Sequence, residues 1–334
     1  MSSRRVFMQQ SSWALAALTL SYPLMAFTKY GEMTNNKNVD VIIIGGSYAG
    51  LSAAMALGRS LRNVLIIDNG TPCNSQTPHS HNFLTQDGKT PSEITELAKQ
   101  EIEKYKTVKF YNGLATTGVK TESGFEITTS NGHRFNAQKL IFATGIKDTM
   151  PDIKGFSECW GISIVHCPYC HGYEYRHQNT GIIANGQKAF HLASMVNNLS
   201  SKVTILTNGK ADFTSEQLEK LKSHSIQIVE NEILEVEHTH GQLQQLIFKD
   251  GTKIPFDVAY GVVPFTQQSD IPVSLGCETT EHGYLKIVAF QKTNVPNIYV
   301  CGDNSNMMRS VANAVASGNI AGAVANGELV NEQF

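Results

Sequence analysis

Neither sign of charge dominates this chain, since 27 lysines and arginines face 29 aspartates and glutamates for a net charge of −2. A nucleic-acid-binding surface needs a basic excess, so we expect no nucleic-acid partner. Cysteine is also scarce, with six in 334 residues, which excludes a scaffold built on disulfides. What is present is ordinary for a globular protein: 41% hydrophobic and 17% charged residues, and enough length for two domains with their own cores.

A low-complexity linker is also lacking after the first 32 residues, and those residues stand apart. Arg4 and Arg5 form a twin-arginine pattern, and an uncharged apolar stretch follows from Trp13 to Phe27, with Pro23 inside it. This order predicts a twin-arginine export signal and linker over residues 1–32, and so a periplasmic or otherwise exported protein. The alternative is a frayed N-terminal helix on a cytoplasmic protein. No convincing cleavage site follows, and an uncleaved signal would act as a membrane tether.

A dinucleotide-binding pattern begins at residue 39. Residues 39–44 predict a buried strand, a glycine-rich turn follows, residues 51–57 predict a helix, and a second strand over residues 64–67 closes on an acid. The turn and the helix N-terminus can face a pyrophosphate, and the acid can accept hydrogen bonds from a ribose. Ser47 stands where the usual pattern has its middle glycine. The candidate cofactor-binding residues are Gly45, Gly46, Ser47, Ala49, Gly50 and Asp68.

Later segments repeat or complete this pattern. A weaker copy of the strand–turn–helix unit starts at residues 181–186 and reaches a strand at residues 203–206. Another strand, over residues 139–142, ends in Ala143-Thr144-Gly145. The last segment holds Cys301-Gly302-Asp303 and a helix-like stretch from Arg309 to Leu329. Two related units predict an α/β fold with two Rossmann-like domains and boundaries near residues 150 and 260, not a solenoid.

The pair Cys167-Pro168-Tyr169-Cys170 most needs a chemical explanation. Two cysteines at this spacing can shuttle electrons, because one thiolate attacks a partner disulfide and the second resolves the mixed disulfide. His166 and His171 flank the pair and titrate near neutrality, so either could deliver a proton. Zinc binding by these histidines and cysteines, c-type haem attachment at Cys-x-x-Cys-His and a purely structural disulfide are the alternatives. Redox chemistry is favoured over all three, and no metal is expected.

Together these motifs resemble the low-molecular-weight thioredoxin reductases and their relatives over residues 40–329. The resemblance implies an FAD domain split into residues 37–150 and 261–334, with a central NAD(P)-binding-like domain that carries the cysteine pair inserted at residues 151–260. It also implies that Cys170 faces the flavin, that Cys167 exchanges with substrate, and that the protein is a homodimer. Further FAD-binding residues implied by the resemblance are Ala143, Thr144, Gly145, Gly302, Asp303, Arg309, Ser310 and Val311.

Two departures make the chain look more like the flavin-dependent dithiol oxidases that close disulfides in gliotoxin- and holomycin-type metabolites. His171 follows the second cysteine where the reductases usually have an acid, and it joins Cys167 and Cys170 as the third candidate catalytic residue. The stretch from His79 to Leu84 also looks like that branch. His79 or His81 could assist proton transfer at the flavin, and a solvated loop is the equal alternative.

The third departure lies in the second nucleotide turn. Residues 184–189 read Ala-Asn-Gly-Gln-Lys-Ala where reductases have G-x-G-x-x-A. After the next strand, where basic residues would grip the 2′-phosphate of NADPH, the chain has Thr207-Asn208-Gly209, which cannot supply bidentate phosphate contacts. The fold of this unit is expected to survive, while NADPH binding is doubtful. That loss agrees with export, since no NADPH pool exists outside the cytoplasm.

The sequence therefore favours an FAD enzyme that oxidises a substrate dithiol and passes the electrons to oxygen or another acceptor. The substrate is either a small molecule or a thioredoxin-like protein. An NAD(P)H-dependent thioredoxin reductase running in the opposite direction is the first alternative, and a non-catalytic FAD-bound redox sensor is the second. For Cys73, Cys159, Cys277 and Cys301 the default expectation is that they are buried small hydrophobic residues.

Overall fold

The computed structural model describes residues 38–334, and the predicted export signal at residues 1–32 lies outside the described residues. The strands are β1 (Asn38–Ile44), β2 (Val64–Asp68), β3 (Val108–Asn112), β4 (Ala115–Thr121), β5 (Gly124–Thr129), β6 (Arg134–Phe142), β7 (Ile146–Asp148), β8 (Ile164–Val165), β9 (Thr180–Ile183), β10 (Val203–Leu206), β11 (Gln227–Val229), β12 (Ile233–Thr239), β13 (Gln242–Phe248), β14 (Lys253–Pro255), β15 (Val258–Gly261), β16 (Phe265–Gln267) and β17 (Ile298–Val300). The helices are α1 (Tyr48–Arg59), α2 (Pro91–Ile102), α3 (Phe156–Cys159), α4 (Pro168–His171), α5 (Gly186–Val196), α6 (Ser215–Ser223), α7 (Ile271–Ser274) and α8 (Val311–Gln333).

The first sheet carries the glycine-rich turn. Its strands run in the order β3-β2-β1-β6-β5-β4, with β17 also paired to β6. Strand β1 lies between β2 and β6 and is parallel to both. Because both of its faces are covered, it is an almost continuous apolar run in which Val41, Ile42 and Ile43 have no exposed surface. This burial fixes the strand end from which the turn leaves.

Strand β6 pairs along one edge with two strands that are far apart in the sequence, β5 and β17. Its first half pairs antiparallel with β5, and its last three residues pair in parallel with β17, Leu140 opposite Ile298. The strand therefore begins at Arg134, earlier than the Lys139 expected from the apolar run. In the added half, buried and more exposed residues alternate, which is the pattern of an antiparallel pair and not of a doubly covered strand.

The second sheet contains the weaker nucleotide unit. Its order is β11-β10-β9-β15-β8, and every pairing in it is parallel. Helix α5 follows β9 as α1 follows β1. A three-stranded antiparallel sheet, β12-β13-β14, packs beside it, and the two-stranded pair β7-β16 joins the segments at which the chain leaves and re-enters the first unit.

The fold class is the predicted one: two Rossmann-like α/β domains, the FAD domain split by the inserted central domain. The residue boundaries near 150 and 260 stay predictions. Helix α8 begins at Val311, two residues later than expected, because the Ser310 side chain accepts a hydrogen bond from Asn313 N at 3.1 Å and caps the helix. Within residues 38–334 no helix is both long and apolar enough to cross a membrane.

Candidate functional site

The first glycine-rich turn leaves room for a ligand at the start of α1. A Cβ added to Gly45 would lie 2.3 Å from Ala143 O, and one added to Gly50 would lie 1.9 Å from Gly45 O. Both positions therefore exclude any side chain, and Gly45 also has φ +105°, which favours glycine. Ser47 holds the N-cap position of α1 without a side-chain capping bond in the described part of the chain. The N–H groups of the first helical turn thus remain available to an anion.

Asp68, at the end of β2, closes the other side of the turn. Its Oδ1 accepts a hydrogen bond from Gly46 N at 3.0 Å. A Cβ on Gly46 would lie 2.8 Å from Asp68 Cβ, so glycine is what allows the carboxylate to approach the turn. A polar wall of this kind suits a ribose hydroxyl, as the spacing of glycine and acid predicts.

Two cavities continue from this turn to the cysteine pair. One, of about 620 Å³, lies at Gly45, Gly46 and Asp68, and the other, of about 490 Å³, reaches Cys170 and His171. They share wall residues that include Ser47, Ala143 and Thr144. Of the predicted site residues, Gly50 and Cys167 line neither cavity, and the others lie in their walls: Gly45, Gly46, Ser47, Ala49, Asp68, Ala143, Thr144, Gly145, Cys170, His171, Gly302, Asp303, Arg309, Ser310 and Val311.

An ion-pair cluster forms one wall near the cysteines. The Arg309 guanidinium donates to both carboxylate oxygens of Asp148, at 2.8 and 3.0 Å, and its Nε lies 3.7 Å from Asp303 Oδ2. Burial raises the pKa of Asp303 to about 6, although Arg309 opposes that shift. Burial alone would lower the pKa of Arg309, but the hydrogen bonds and charge of Asp148 raise it. The arginine is therefore a fixed cation at the cavity wall.

The cysteine pair is a disulfide at the edge of this cavity. Cys167 is the N-cap of the short helix α4, and its sulfur accepts a hydrogen bond from Cys170 N at 3.2 Å. Cys170 Sγ lies 3.9 Å from the carbonyl oxygen of Arg309. Since Cys170 lines the cavity and Cys167 does not, the two sulfurs have different surroundings. This asymmetry supports the division of roles that the resemblance implies.

The two histidines beside the cysteines also line the cavity. Burial, with the charge of Arg309, lowers the pKa of His166 to about 4. Burial, with a repulsive contribution from His81, lowers the pKa of His171 to about 4. Both rings are therefore neutral at physiological pH and have a nitrogen that can accept a proton.

Several cavity residues gave no signal in the sequence. Cys73 is exposed in the cavity, 4.0 Å from Asp303, so the expectation of a buried residue is wrong for it, whereas Cys159, Cys277 and Cys301 are buried. The Cys73 side chain lines the cavity from a segment without helix or strand. Asp148 accepts from Trp160 Nε1 at 3.1 Å as well as from Arg309. Only the three-dimensional approach of these segments could have revealed that link.

In the second nucleotide turn, the Asn185 side chain forms hydrogen bonds with the neighbouring backbone. Asn185 caps α5: its Oδ1 accepts from Gly186 N at 2.8 Å and from Asp212 N at 2.9 Å, and its Nδ2 donates to Lys210 O at 2.8 Å. Gly186 has φ +57°, and a Cβ on it would lie 3.1 Å from Asp212 O. The side-chain oxygen thus accepts from the first N–H group of α5, which a phosphate would otherwise take, and the Asp212 carboxylate lies close by.

The residues of the first unit fit FAD. The glycine cradle, the free helix start and Asp68 suit the adenosine and pyrophosphate, and the cavity beside Cys170 suits the ring system. Arg309 Nε is buried without a hydrogen-bond partner among the described residues, so the wall has an unused donor. In the same residues no cluster of three or more His, Cys, Asp or Glu could hold a metal ion.

Comparison with known proteins agrees with this geometry. Residues 39–318 match the pyridine nucleotide-disulphide oxidoreductase family, and the chain belongs to that family. It is 33% identical to thioredoxin reductase tcpT of Claviceps purpurea over 309 residues, 89% of this chain and 96% of the relative. It is 30% identical to thioredoxin reductase aclD of Aspergillus oryzae, over 84% and 93% of the two chains.

Solved structures give the same result. An oxidoreductase from Agrobacterium tumefaciens superposes with a TM-score of 0.83 at 35% identity, covering 88% of this chain and 99% of its own. HlmI superposes with a TM-score of 0.83 at 26% identity, covering 89% and 94%. The resemblance drawn from the motifs is therefore confirmed, and the protein is an FAD-dependent, thioredoxin reductase-like disulfide oxidoreductase.

Proposed function

We propose that the protein is a dithiol oxidase that transfers electrons from a substrate dithiol, through Cys167 and Cys170, to FAD and then to oxygen or another acceptor that is not NADP⁺. The observation that carries this proposal is the contrast between the two nucleotide units. The disulfide opens on the FAD cavity, whereas the second turn has its helix start capped by Asn185 and Asp212 beside it. Thiols can then reduce FAD through the disulfide, whereas NADPH is expected to bind poorly at the second turn.

The first half of the reaction uses the disulfide and one histidine. A substrate thiol gives its proton to neutral His171, and the thiolate attacks Cys167 Sγ, so that the Cys167–Cys170 bond breaks and Cys170 leaves as a thiolate. The second substrate sulfur then attacks the substrate sulfur of the mixed disulfide, and its proton passes to the departing Cys167 sulfur. This forms the substrate disulfide and leaves the pair as a Cys167 thiol and a Cys170 thiolate. FAD held by the first unit would supply a two-electron acceptor for the reduced pair.

The surroundings of the sulfurs support this order. Cys167 lies away from the FAD cavity wall, and the neighbouring Tyr169 is 71% exposed, so a substrate can approach from outside. Cys170 lies in the wall beside the Arg309 carbonyl. The Arg309 guanidinium lies in the same wall, where it is paired with Asp148 and lies near Asp303.

The second candidate is an NAD(P)H-dependent thioredoxin reductase. The names of the relatives tcpT and aclD favour it, since both are called thioredoxin reductases. For this candidate, Asn185 and the segment 210–212 would have to move off the start of α5. A non-catalytic FAD-bound sensor remains the candidate from another class.

Anaerobic mixing distinguishes these functions. The purified holoprotein is mixed in a stopped-flow instrument with dithiothreitol, or with NADPH or NADH, and the flavin absorbance is followed. If the protein is a dithiol oxidase, dithiothreitol bleaches its flavin absorbance. In air the same enzyme then consumes oxygen and forms one disulfide for each molecule of peroxide. Rapid bleaching by a nicotinamide instead would establish the reductase, and no dithiol-dependent oxygen uptake would favour the sensor.

We also propose that the protein is a homodimer, as the family resemblance implies, and that it is exported by the twin-arginine route, with the signal acting as a membrane tether if it is not cleaved. The residues concerned, 1–32, lie outside the described part of the chain, and the proposal is supported by the sequence pattern alone. Fractionation of cells with and without a block in twin-arginine transport tests it. A protein found only in the cytosol of unblocked cells would contradict export, and sedimentation gives the oligomeric state.

A further inference from the structure

The cavity beside the disulfide holds more histidine than one proton transfer requires. His79, His81, His166 and His171 all contribute to its wall, out of 11 histidines in the chain. Dithiol oxidation explains why proton acceptors are needed there. A dithiol that becomes a disulfide gives up two electrons and two protons, and a flavin reduced to its anion takes both electrons and one proton. One proton per half-reaction must therefore leave the site.

His81 has the surroundings of a group that receives a proton. Its Nδ1 lies 3.5 Å from Glu174 Oε1 and 3.6 Å from Asp87 Oδ1, and the buried nitrogen makes no hydrogen bond within the described residues. Two carboxylates at this distance attract an imidazolium and offer little to the neutral ring. Exposure increases along this route: the side chain of His81 is 19% exposed, that of Glu174 36% and that of Asp87 68%.

The loop that carries His81 is held rigidly. Ser80 N donates to Lys89 O at 2.8 Å, Gly88 N donates to Ser80 O at 2.9 Å, and Asn82 N donates to Asp87 Oδ1 at 2.7 Å. The last bond fixes the carboxylate that faces His81. Glu174 comes from the other side, three residues after His171, so the acid and the histidine that contacts substrate belong to one short segment.

We propose that His81 is a relay residue that acts through His171: it accepts the substrate proton from His171 and passes it to solvent by way of Glu174 and Asp87. The inference rests on the proposed dithiol oxidase. The first transfer breaks an N–H bond of His171 and forms one on His81. The next breaks that N–H bond and forms an O–H bond on a carboxylate, from which solvent takes the proton, so no oxidant or reductant is needed. The relay handles one proton at a time, because a charged His81 repels a second proton on His171.

The other two histidines are worse placed for this role. His79 is exposed, and its Nδ1 is already bonded to Gly88 O at 3.0 Å, so one ring nitrogen is committed to the loop. Burial lowers the pKa of His166 most, the positive charge of Arg309 lowers it further, and the carboxylate of Asp148 opposes the shift without cancelling it. Burial, and after it the charge of His81, lowers the pKa of His171, so His171 does not hold a proton for long.

The test compares His81→Gln with His282→Gln. His282 also faces a glutamate at 3.5 Å, Glu281, but it is 60% exposed and does not line the cavity, so it is a matched control. Anaerobic flavin reduction by dithiothreitol is followed at pH 6 to 10. We expect His81→Gln to slow reduction about 10- to 100-fold at pH 7, the low end for acid–base catalysis. His282→Gln should match wild type.

Four readouts separate a relay from a structural role. The defect in His81→Gln should fade above about pH 9, where thiols ionise unaided. Added imidazole should restore part of the rate at pH 7, and Glu174→Gln should give a smaller loss of the same kind. Reoxidation of dithionite-reduced enzyme by oxygen should be unchanged, since it bypasses the disulfide.

Equal rates for wild type and His81→Gln at pH 7 would refute the relay, and so would a defect that is independent of pH and of imidazole. Either result leaves the proposed oxidase standing, provided that wild type is reduced by dithiothreitol. If wild type itself is not reduced by the dithiol, the proposed function fails first, and the relay fails with it.

Discussion

The two glycine-containing turns of this protein connect the same kinds of element but differ in whether their helix start is free to bind an anion. Each follows a buried parallel strand and starts a helix, α1 after β1 and α5 after β9. At the first, Ser47 leaves the helix start uncapped, and Gly46 admits Asp68 to the turn. At the second, Asn185 caps the helix start and bonds across to Asp212.

The difference shows that the strand–turn–helix unit and the anion site at its end are separable. Burial of the strands and of the inner face of α5, through residues such as Ile182, Ala189 and Ala193, keeps the second unit folded. None of that packing depends on a phosphate. The site depends on a few atoms at the turn, and one asparagine side chain is enough to occupy them.

The largest effect is expected when the redox-active disulfide beside the FAD cavity is removed. Cys170→Ser leaves no disulfide, so we expect reduction of the flavin by dithiothreitol to fall by about a thousandfold or more. Cys277→Ser is the control, because that buried thiol lies outside the cavities and its bond to Thr293 can be kept by a hydroxyl. Stopped-flow absorbance measures the rate. Retained dithiol reduction in Cys170→Ser would mean that electrons enter elsewhere.

Acid should act on the disulfide segment through its neutral histidines. Folding holds the pKa of His166 and of His171 at about 4, below the ordinary 6.5, so the unfolded chain binds their protons first. The free energy of unfolding is therefore unaffected by these histidines above pH 6.5 and falls as the pH decreases towards 4. At pH 5 the loss is about 2 kcal/mol for each histidine. Urea unfolding at pH 7 and 5 measures it.

The double variant His166→Gln with His171→Gln sharpens this measurement. Its free energy of unfolding should fall less between pH 7 and 5 than that of wild type, because glutamine does not titrate. An equal fall in both proteins would show that other groups cause the acid sensitivity.

The same substitution in each turn should have different consequences. Gly46→Ala forces a methyl group against Asp68, and overpacking of about 1–3 kcal/mol weakens FAD binding about 5- to 160-fold. Gly186→Ala should leave FAD affinity unchanged and cost about 1–2 kcal/mol of stability through its positive φ. Titration of apoprotein with FAD and urea unfolding measure the two effects. Loss of FAD from Gly186→Ala would contradict the comparison.

The smallest effect is expected when the closed turn is opened. Asp212→Ser removes a negative charge near the start of α5, and helix-end charges contribute about 0.3–1 kcal/mol, so NADPH affinity should rise about two- to fivefold. Asn185→Gly should add to it by freeing the N–H groups. Binding is measured by calorimetry, with Asp250→Ser on the distant hairpin as control. Tight NADPH binding by wild type would show that the turn opens on its own.

The sequence was sufficient to predict what local chemistry determines. The apolar run of β1, the glycines after it and Asp68 at the end of β2 predicted a site that the structure assembles as expected. The sequence made NADPH binding doubtful because the segment Thr207-Asn208-Gly209 has no basic residue to hold the 2′-phosphate. The cap supplied by Asn185 was not, because its partners Lys210 and Asp212 lie more than twenty residues away and approach only through the parallel pairing of β9 and β10.

The wall beside the disulfide shows the same limit. Arg309 was expected near the flavin, but its bidentate pair with Asp148 joins residues 161 apart in the chain. Cys73 reaches the cavity by a loop with no regular structure, which no periodic pattern encodes. His79 and His81 could not be ranked from sequence, since only the loop geometry shows which ring faces two acids.

The divided edge of β6 has a consequence for biosynthesis. On the edge away from β1, its last residues pair with β17, and buried Lys139 donates a hydrogen bond to Asn297, 158 residues further along. The wall residues Gly302, Asp303 and Ser310 emerge from the ribosome after that strand. The cavity beside the disulfide is therefore complete only after residues 302–310 have been synthesised, so we expect FAD loading to follow completion of the chain.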